Sequence, residues 1–535
     1  MSIYRLACSN NRIGEVALAE EPVSLGRHPE NTIPLIEDDV ASRFHCVIEP
    51  NGGGFVLKDL GSRNGTRVNG ERVTEYPLNA GDVITVGKHT FEVKVEQEAP
   101  QLFKKKGRET ARGAAPAWAI ELRSILDSLP PKSVLDENIT IIDAAGKPSD
   151  ALISDGEGPQ AMRLMLILAQ KSRATDIHFE PKGENFTIRV RVDGQMVSIV
   201  DLPNMVGELC LGLVRAACQM RQAGREAVLD GHFGCRFRAR RVDYRASLTP
   251  TVHGQKLVLR ILDSLIAPQN LSDLHIPTFM YDRLKKVTQQ ETGLLLVSGP
   301  TGSGKTTTLY NAIREIDRKT SNVITIEDPV EYSLEGVTQI PVTQNTSFSD
   351  ILRSVLRQDP DVILVGEIRD EETARVAMQA AMTGHVVFST VHAKDTIGAV
   401  FRLLDLGVEG YLVANSLDVV VAQRLVRVLC ESCRRPVRVT PGQATRIGRF
   451  LEGKTEVFAA TGCPRCLRTG YHGRRAIFEM LEFNDDLRDC ILHSPSIQKM
   501  KGIIEQGVFT TLQQSGWVLA SRGMTTLDEV ERVTG

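Results

Sequence analysis

Neither sign of charge dominates this chain: 64 Lys and Arg side chains stand against 66 Asp and Glu, a net charge of -2. No strong basic stripe emerges along the sequence, so direct nucleic-acid binding is not expected. Long apolar runs are also missing. Stretches such as "LMLILA" and "LLLV" are far too short to span a bilayer, and the opening "MSIYRLACSN" lacks an apolar core of signal-peptide length. The expectation is a cytoplasmic protein, peripheral to a membrane at most. There is no convincing internal repeat and no long low-complexity tract. What remains is an ordinary globular composition, 42% hydrophobic and 24% charged, spread over 535 residues. That length exceeds what one core usually serves, so the chain is expected to be multidomain.

The ten cysteines divide unevenly. Four form two C-x-x-C pairs, Cys430 with Cys433 in "LCESCRRP" and Cys463 with Cys466 in "GCPRCLRTGYHGRRAIFEM". Each pair can chelate from one knuckle, and two knuckles complete a tetrathiolate site suited to structural Zn²⁺. A redox dithiol is the rival reading, but neither pair sits in a thioredoxin-like βαβ unit. Cys8, Cys46, Cys210, Cys218, Cys235 and Cys490 are scattered singly and read as buried small apolar residues.

Three patterns follow one another along the chain. Residues 1–97 carry short runs such as "FHCVIEP", "GFVLKDL" and "DVITVG" broken by turn residues, which predicts an all-β sandwich. Residues 98–133 read as a flexible linker with a short helix, "WAIELRSILDSL", stopped by "PP". Residues 134–268 mix helices, "AMRLMLILAQKS" and "ELCLGLVRAACQM", with strands, "FTIRVRVDG" and "KLVLRIL", an α+β domain. In residues 271–535 the apolar strands "GLLLVSGP", "NVITIEDP", "DVILVGEI" and "HVVFSTVH" alternate with helices. This predicts a parallel sheet in an α/β domain, with residues 430–466 as a zinc-binding insert.

"LLLVSGPTGSGKTTTLY" places a strand before G-x-x-x-x-G-K-T and a helix after it, the context a phosphate-binding loop requires. Gly299, Pro300, Thr301, Gly302, Ser303 and Gly304 would wrap the phosphates with backbone N–H groups, Lys305 would contact the β and γ phosphates, and Thr306 would ligate Mg²⁺, with Thr307 beside them. The bland alternative is a glycine-rich turn without a ligand. Carboxylates leave two further strand ends: Glu367 after "VILVG", and Glu327, Asp328 and Glu331 in "VITIEDPVEY". Strand-end acids are often loop caps, yet their recurrence in one α/β domain points to catalysis.

From about residue 160 onward the sequence resembles the secretion ATPase superfamily, specifically the ATPases of type II secretion and type IV pilus assembly. "ATDIHFEP" is similar to its Ser-Asp-Ile-His motif, with Thr175 for the usual serine. "ITIEDPVEY" is similar to its aspartate box, "LRSVLRQDPDVILVGEIRD" to its Walker B region and "TGHVVFSTVHAKD" to its histidine box. The resemblance implies a RecA-like P-loop domain in a homohexamer that hydrolyses ATP with Mg²⁺ and drives an inner-membrane platform protein. It also implies nucleotide contacts from Arg245 and Arg260, γ-phosphate sensing by His385 and His392, and water positioned by Glu331 or Glu367. Where the family usually reads Arg-Pro-Gln-Asp-Gly-Arg, "REAVLDGHF" keeps Arg225, Asp230 and Gly231 and has His232 at the arginine position. Assembly and secretion branches carry the tetracysteine insert that retraction ATPases generally lack, which implies an assembly motor.

The first block resembles the forkhead-associated domain, a sandwich that binds phosphothreonine. "SLGRHPENTI" carries its Gly-Arg, "ASRFHCVIE" its Ser-x-x-His and "LGSRNGTRVNG" its Asn-Gly loops. Arg27, Ser42 and Arg43 could supply the charge-assisted donors a phosphate dianion needs, and Asn64 could hold the peptide backbone. Gly26 and His45 serve structure in that family, and Asn69-Gly70 makes a hairpin turn. Two rival readings stand beside the motor: a nucleotide-gated phosphoprotein-binding adaptor, and a DNA-uptake or conjugation motor of the same superfamily.

Overall fold

A computed structural model describes residues 3–8, 16–18, 22–28, 31–35, 38–51, 54–96, 115–131, 139–149, 151–152, 154, 156–220, 227–237, 240–263, 268–343, 345–507 and 509–535. Most of the expected linker, Arg225 and the Cys8 side chain lie outside them. The chain divides into two compact units, Met1–Arg112 and Gly113–Gly535.

The first unit faces two sheets across one core. One orders Val16–Leu18, Ile3–Cys8, His89–Glu96, Val83–Val86, Thr66–Val68 and Glu71–Val73; the other orders Ile33–Pro34, Val23–Gly26, Cys46–Asn51, Gly54–Asp59 and Glu75–Leu78. Leu25, Ile48, Leu57, Ile84 and Val93 fill the space between them. Alternation along each strand produces this, because every second side chain turns inward. Asn69 and Gly70, with φ of 52° and 87°, make the two-residue turn joining Thr66–Val68 to Glu71–Val73. The Asn69 side chain then donates to Asp82 Oδ1 at 2.8 Å and accepts from the Val83 N–H at 2.9 Å. That turn therefore ties two strands together as well as reversing the chain.

The second unit begins with the helix Ala117–Ser128 and an antiparallel eight-stranded sheet. Its strands run in the order Pro148–Ser149, Ile139–Ile142, Leu229–Phe237, Arg240–Thr251, Gly254–Leu262, Ala174–Lys182, Asn185–Val192 and Gln195–Pro203. Phe186, Ile188, Val190 and Val192 alternate inward along one strand, and the helices Glu157–Ser172 and Asn204–Ala217 contribute to the same core. The opposite face keeps charged side chains, as one-sided burial of an antiparallel sheet requires.

Beyond it lies a seven-stranded sheet. Its order is Thr338–Pro341, Val323–Glu327, Val362–Val365, Val386–Val391, Gly293–Ser298, Leu417–Leu429 and Tyr471–Glu482, all parallel except the last pair. Gly293–Ser298 and Val386–Val391 are buried at every position, because helices and a second apolar core cover both faces. Thr338–Pro341, Leu417–Leu429 and Tyr471–Glu482 extend the four strands read from the sequence. Between the two cysteine pairs, a ribbon of Arg435–Arg438 and Glu456–Ala459 brackets the helix Pro441–Leu451. Ile447, Leu451 and Val457 of this insert pack with Trp517 and Val530 of the C-terminal helices. Cys46, Cys210, Cys218 and Cys235 are buried, and Cys490 is half-buried. Among the described residues no helix is long and apolar enough to cross a membrane.

Candidate nucleotide site and its companion sites

The loop after Gly293–Ser298 turns through Gly299, Gly302 and Gly304, with φ of 157°, 79° and 89°, into the helix Lys305–Arg314. At Gly299 a Cβ would lie 2.6 Å from the Gln423 carbonyl, so the neighbouring strand admits no side chain there. Gln423, on Leu417–Leu429, also holds the loop through its amide. It donates to the Ser303 carbonyl at 2.8 Å and accepts from the Thr308 hydroxyl at 2.7 Å. Lys305 Nζ donates to the carbonyls of Gly299 at 2.8 Å and Pro300 at 3.3 Å. Burial lowers this ammonium from its ordinary value, Glu367 opposes that shift and Arg424 adds to it. Thr306 and Thr307 occupy the first turn of the helix, whose N-terminal dipole and N–H groups favour phosphate.

Parallel in-register strands bring the Walker B end to the same edge of the sheet. Val362–Val365 continues through Gly366 to Glu367, whose carboxylate is bound by Arg369 and lies 3.5 Å from His392 Nε2. The hydrogen bond that Arg369 donates to Glu367 raises Arg369 above its ordinary value. Asp328 lies 3.7 Å from the other arm of Arg369. The loop after His392 is pinned by Arg424, which donates to the Lys394 carbonyl at 2.5 Å.

Two expected residues sit elsewhere. His385 precedes Val386–Val391, while His392 follows it. In a parallel sheet those are opposite edges, separated by roughly 20 Å at about 3.3 Å per residue. The His385 carbonyl accepts from the N–H of Gly293, at the start of the phosphate-loop strand, and its Nδ1 lies 3.0 Å from the Ala380 carbonyl. The structure thus places His385 at the edge of the sheet away from the phosphate loop of its own subunit. Glu327 is 3% exposed and accepts from Tyr310, from Thr325 at 2.6 Å and from Gln339 at 3.1 Å. Its carboxylate is consumed in a buried network under the aspartate-box loop, whereas Asp328 and Glu331 are exposed.

The α+β sheet contributes a charged row. His232, Arg245, Arg260, Asp176 and Arg191 are consecutive cross-strand partners and share one face. Asp176 pairs with Arg260 at 3.2 Å and Arg191 at 3.7 Å. Arg245 donates to the Val330 carbonyl at 3.2 Å, next to Glu331, and so joins the row to the aspartate-box loop.

The four cysteines converge. Cys430 and Cys463 sulfurs are 3.9 Å apart, Cys433 and Cys466 3.9 Å, and Cys463 and Cys466 3.7 Å. A tetrahedron with 2.3 Å metal–sulfur bonds has edges of about 3.8 Å, so the donor set fits a tetrathiolate ion. The N–H groups of Gly470 and Cys463 donate to Cys466 Sγ at 3.3 and 3.2 Å, bonds that stabilise negative charge on a thiolate sulfur. Burial, with Cys466 and the other sulfurs adding to it, pushes the Cys430 thiol up to about 12. A bound cation reverses that cost.

In the sandwich unit the expected phosphate-site residues gather around one loop pair. The Arg27 N–H donates to the Ser42 carbonyl and the His28 N–H to the Arg43 carbonyl, both at 3.0 Å. Ser42 Oγ accepts from the Arg63 N–H at 3.0 Å, and Asn64 Nδ2 donates to the Val40 carbonyl at 2.8 Å. Arg27, Arg43 and Asn64 are exposed. Below them, buried His45 accepts from the Ser42 N–H through Nδ1 at 3.0 Å, and a Cβ on Gly26 would lie 2.5 Å from the Arg43 carbonyl. Arg63, unread in the sequence, joins this group by its bond to Ser42.

A phosphate loop at the carboxyl edge of a parallel sheet, facing an acidic strand end, defines a P-loop ATPase, here carried with a β-sandwich and a four-cysteine cluster. The chain belongs to the type II/IV secretion system protein family, whose profile matches residues 155–532; an FHA domain profile matches residues 23–87. It is 39% identical over 399 residues to the type II secretion system protein E of Pectobacterium carotovorum subsp. carotovorum, across 74% of this chain and 80% of that protein. It is 35% identical over 418 residues to the type II secretion system ATPase E of Vibrio cholerae, across 77% and 82%. The X-ray structure of the Legionella pneumophila ATPase DotB shares the fold, with a TM-score of 0.55 over 70% of this chain and 95% of that one at 22% identity. The protein is a secretion ATPase with an FHA domain at its N-terminal end.

Proposed function

We propose that this ATPase works as a homohexamer on the cytoplasmic face of an inner membrane, driving a platform protein of a secretion or pilus system. ATP is the substrate. The approach of Lys305, Glu367 and His392 at one sheet edge is the observation that carries this reading. Thr306 and Glu367 supply hard oxygen donors suited to Mg²⁺, which would neutralise charge building on the β and γ phosphates. Lys305 is half-buried and would give up its loop carbonyls for the phosphates, while the helix N-terminus orients them. Exposed Glu331 would orient the attacking water, and Arg245, already bonded to the carbonyl beside it, would move that loop as the α+β domain moves. Glu327 would position the loop from beneath and take no part in proton transfer.

The cysteine quartet would hold structural Zn²⁺ and fix the insert against the C-terminal helices. The FHA domain would dock the motor on a phosphothreonine through Arg27, Ser42 and Arg43, with Asn64 on the peptide backbone; surplus donors around Ser42 support this. Sedimentation of the full chain with a non-hydrolysable ATP analogue tests the assembly. A hexamer is expected, and a monomer at every nucleotide and protein concentration would refute the ring.

A further inference from the structure

Glu479 lies on Tyr471–Glu482, opposite Ala422 and hence one position from Gln423 of the phosphate-loop clamp. It is 5% exposed, and among the described residues it has no salt-bridge partner. A buried carboxylate survives in that setting only if its oxygens are satisfied. One oxygen accepts from the Thr396 N–H at 2.9 Å and the Thr396 hydroxyl at 2.7 Å. The other accepts from the Leu512 N–H at 3.1 Å. Thr396 and Leu512 each begin a ten-residue helix, Thr396–Asp405 and Leu512–Ser521. One anion thus sits at two positive helix ends, where charge-assisted N–H bonds and the helix dipoles both favour it.

The first of those helices leads back to the nucleotide site. Only Ala393, Lys394 and Asp395 separate Thr396 from His392, which lies 3.5 Å from Glu367. Arg424 and Ser298 hold the carbonyls of that short connection from the phosphate-loop side, Ser298 Oγ donating to Ala393 at 3.3 Å. Glu479 holds its far end. We propose that Glu479 is a positioning residue for ATP hydrolysis: it fixes the start of the helix that follows His392, and with it the short connection that holds His392 beside Glu367, and through Leu512 it ties that placement to the C-terminal helices. The inference rests on His392 acting at the nucleotide site.

Glu479→Gln keeps the shape, removes the charge and turns one N–H acceptor into a donor facing an N–H. Turnover and the affinity for a fluorescent ATP analogue are measured on the full chain for Glu479→Gln, His392→Ala and the double variant. The expected result is a kcat about tenfold lower for Glu479→Gln, the scale of a lost charged hydrogen bond. Nucleotide affinity stays within about twofold, and the double variant loses nothing beyond His392→Ala, because the two act as one unit. A loss that persists undiminished on top of His392→Ala, or kcat and affinity falling together, overturns the inference alone. An undiminished kcat in His392→Ala overturns the reading of His392 and this inference with it. If Glu479→Gln does not fold, Thr396→Val removes only the hydroxyl bond and is judged by the same comparison.

Discussion

Gln423 and Ser303 are 120 residues apart, yet the Gln423 amide donates to the Ser303 carbonyl at 2.8 Å and so fixes the phosphate loop to the neighbouring strand. Its oxygen accepts from Thr308 on the following helix, so one side chain clamps the loop and the helix together. Gln423→Ala leaves a buried carbonyl and hydroxyl unpaired, which costs about 2 kcal/mol or more. The expected outcome is a lower unfolding midpoint and an ATP affinity reduced about tenfold, read by calorimetry and nucleotide titration.

The two histidines of one motif should separate in function. His392→Ala is expected to lower kcat by one to two orders of magnitude, within about the range of a lost charge-placing group. His385→Ala should leave ATP affinity unchanged, because its ring meets the Ala380 carbonyl at the far edge of the sheet. Turnover measured for His392→Ala and equilibrium binding of ATP to His385→Ala check this, and undiminished turnover in the first or weakened ATP binding in the second would contradict it.

Removing the metal should loosen the insert before the sheet. Elemental analysis is expected to find zinc bound, and Cys463→Ser or a strong chelator should lower the unfolding midpoint by roughly 5 °C or more. Because the insert packs on Trp517 and Val530, hydrogen exchange should rise first in Pro441–Leu451 and the C-terminal helices.

Phosphate recognition by the FHA domain should be separable from hydrolysis. Arg27→Ala combined with Ser42→Ala removes charge-assisted donors and should weaken a phosphothreonine peptide at least about 100-fold. Basal ATP turnover should not change. Fluorescence anisotropy with phosphorylated and unphosphorylated peptides, beside a turnover assay, checks both halves.

Local chemistry was legible in the sequence and distant packing was not. The phosphate loop and the two cysteine pairs announce themselves because the residues within each are neighbours in the chain and their spacing carries the geometry. "TGHVVFSTVHAKD" is less legible: it is continuous, but a six-residue strand runs through it and sends its two histidines to opposite edges. Glu327 looks equivalent to Asp328 and Glu331 until Tyr310 and Gln339 are seen to enclose it. Gln423, Arg424 and Glu479 come from strands more than 100 residues beyond the phosphate loop. Their one sequence signal is a polar residue inside an apolar strand, as in "VVVAQRLV" and "AIFEML". The Asn-Gly turns of the sandwich are legible as turns, but the bridge from Asn69 to Val83 depends on strand order.

In the proposed function Glu367 belongs to the hydrolytic centre and not to the fold. Its most direct test is single-turnover ATP hydrolysis by the Glu367→Gln full chain, with ATP binding measured on the same preparation. Retained ATP binding with hydrolysis reduced at least about 100-fold is the expected result; undiminished turnover would leave Glu367 with a role in the fold alone.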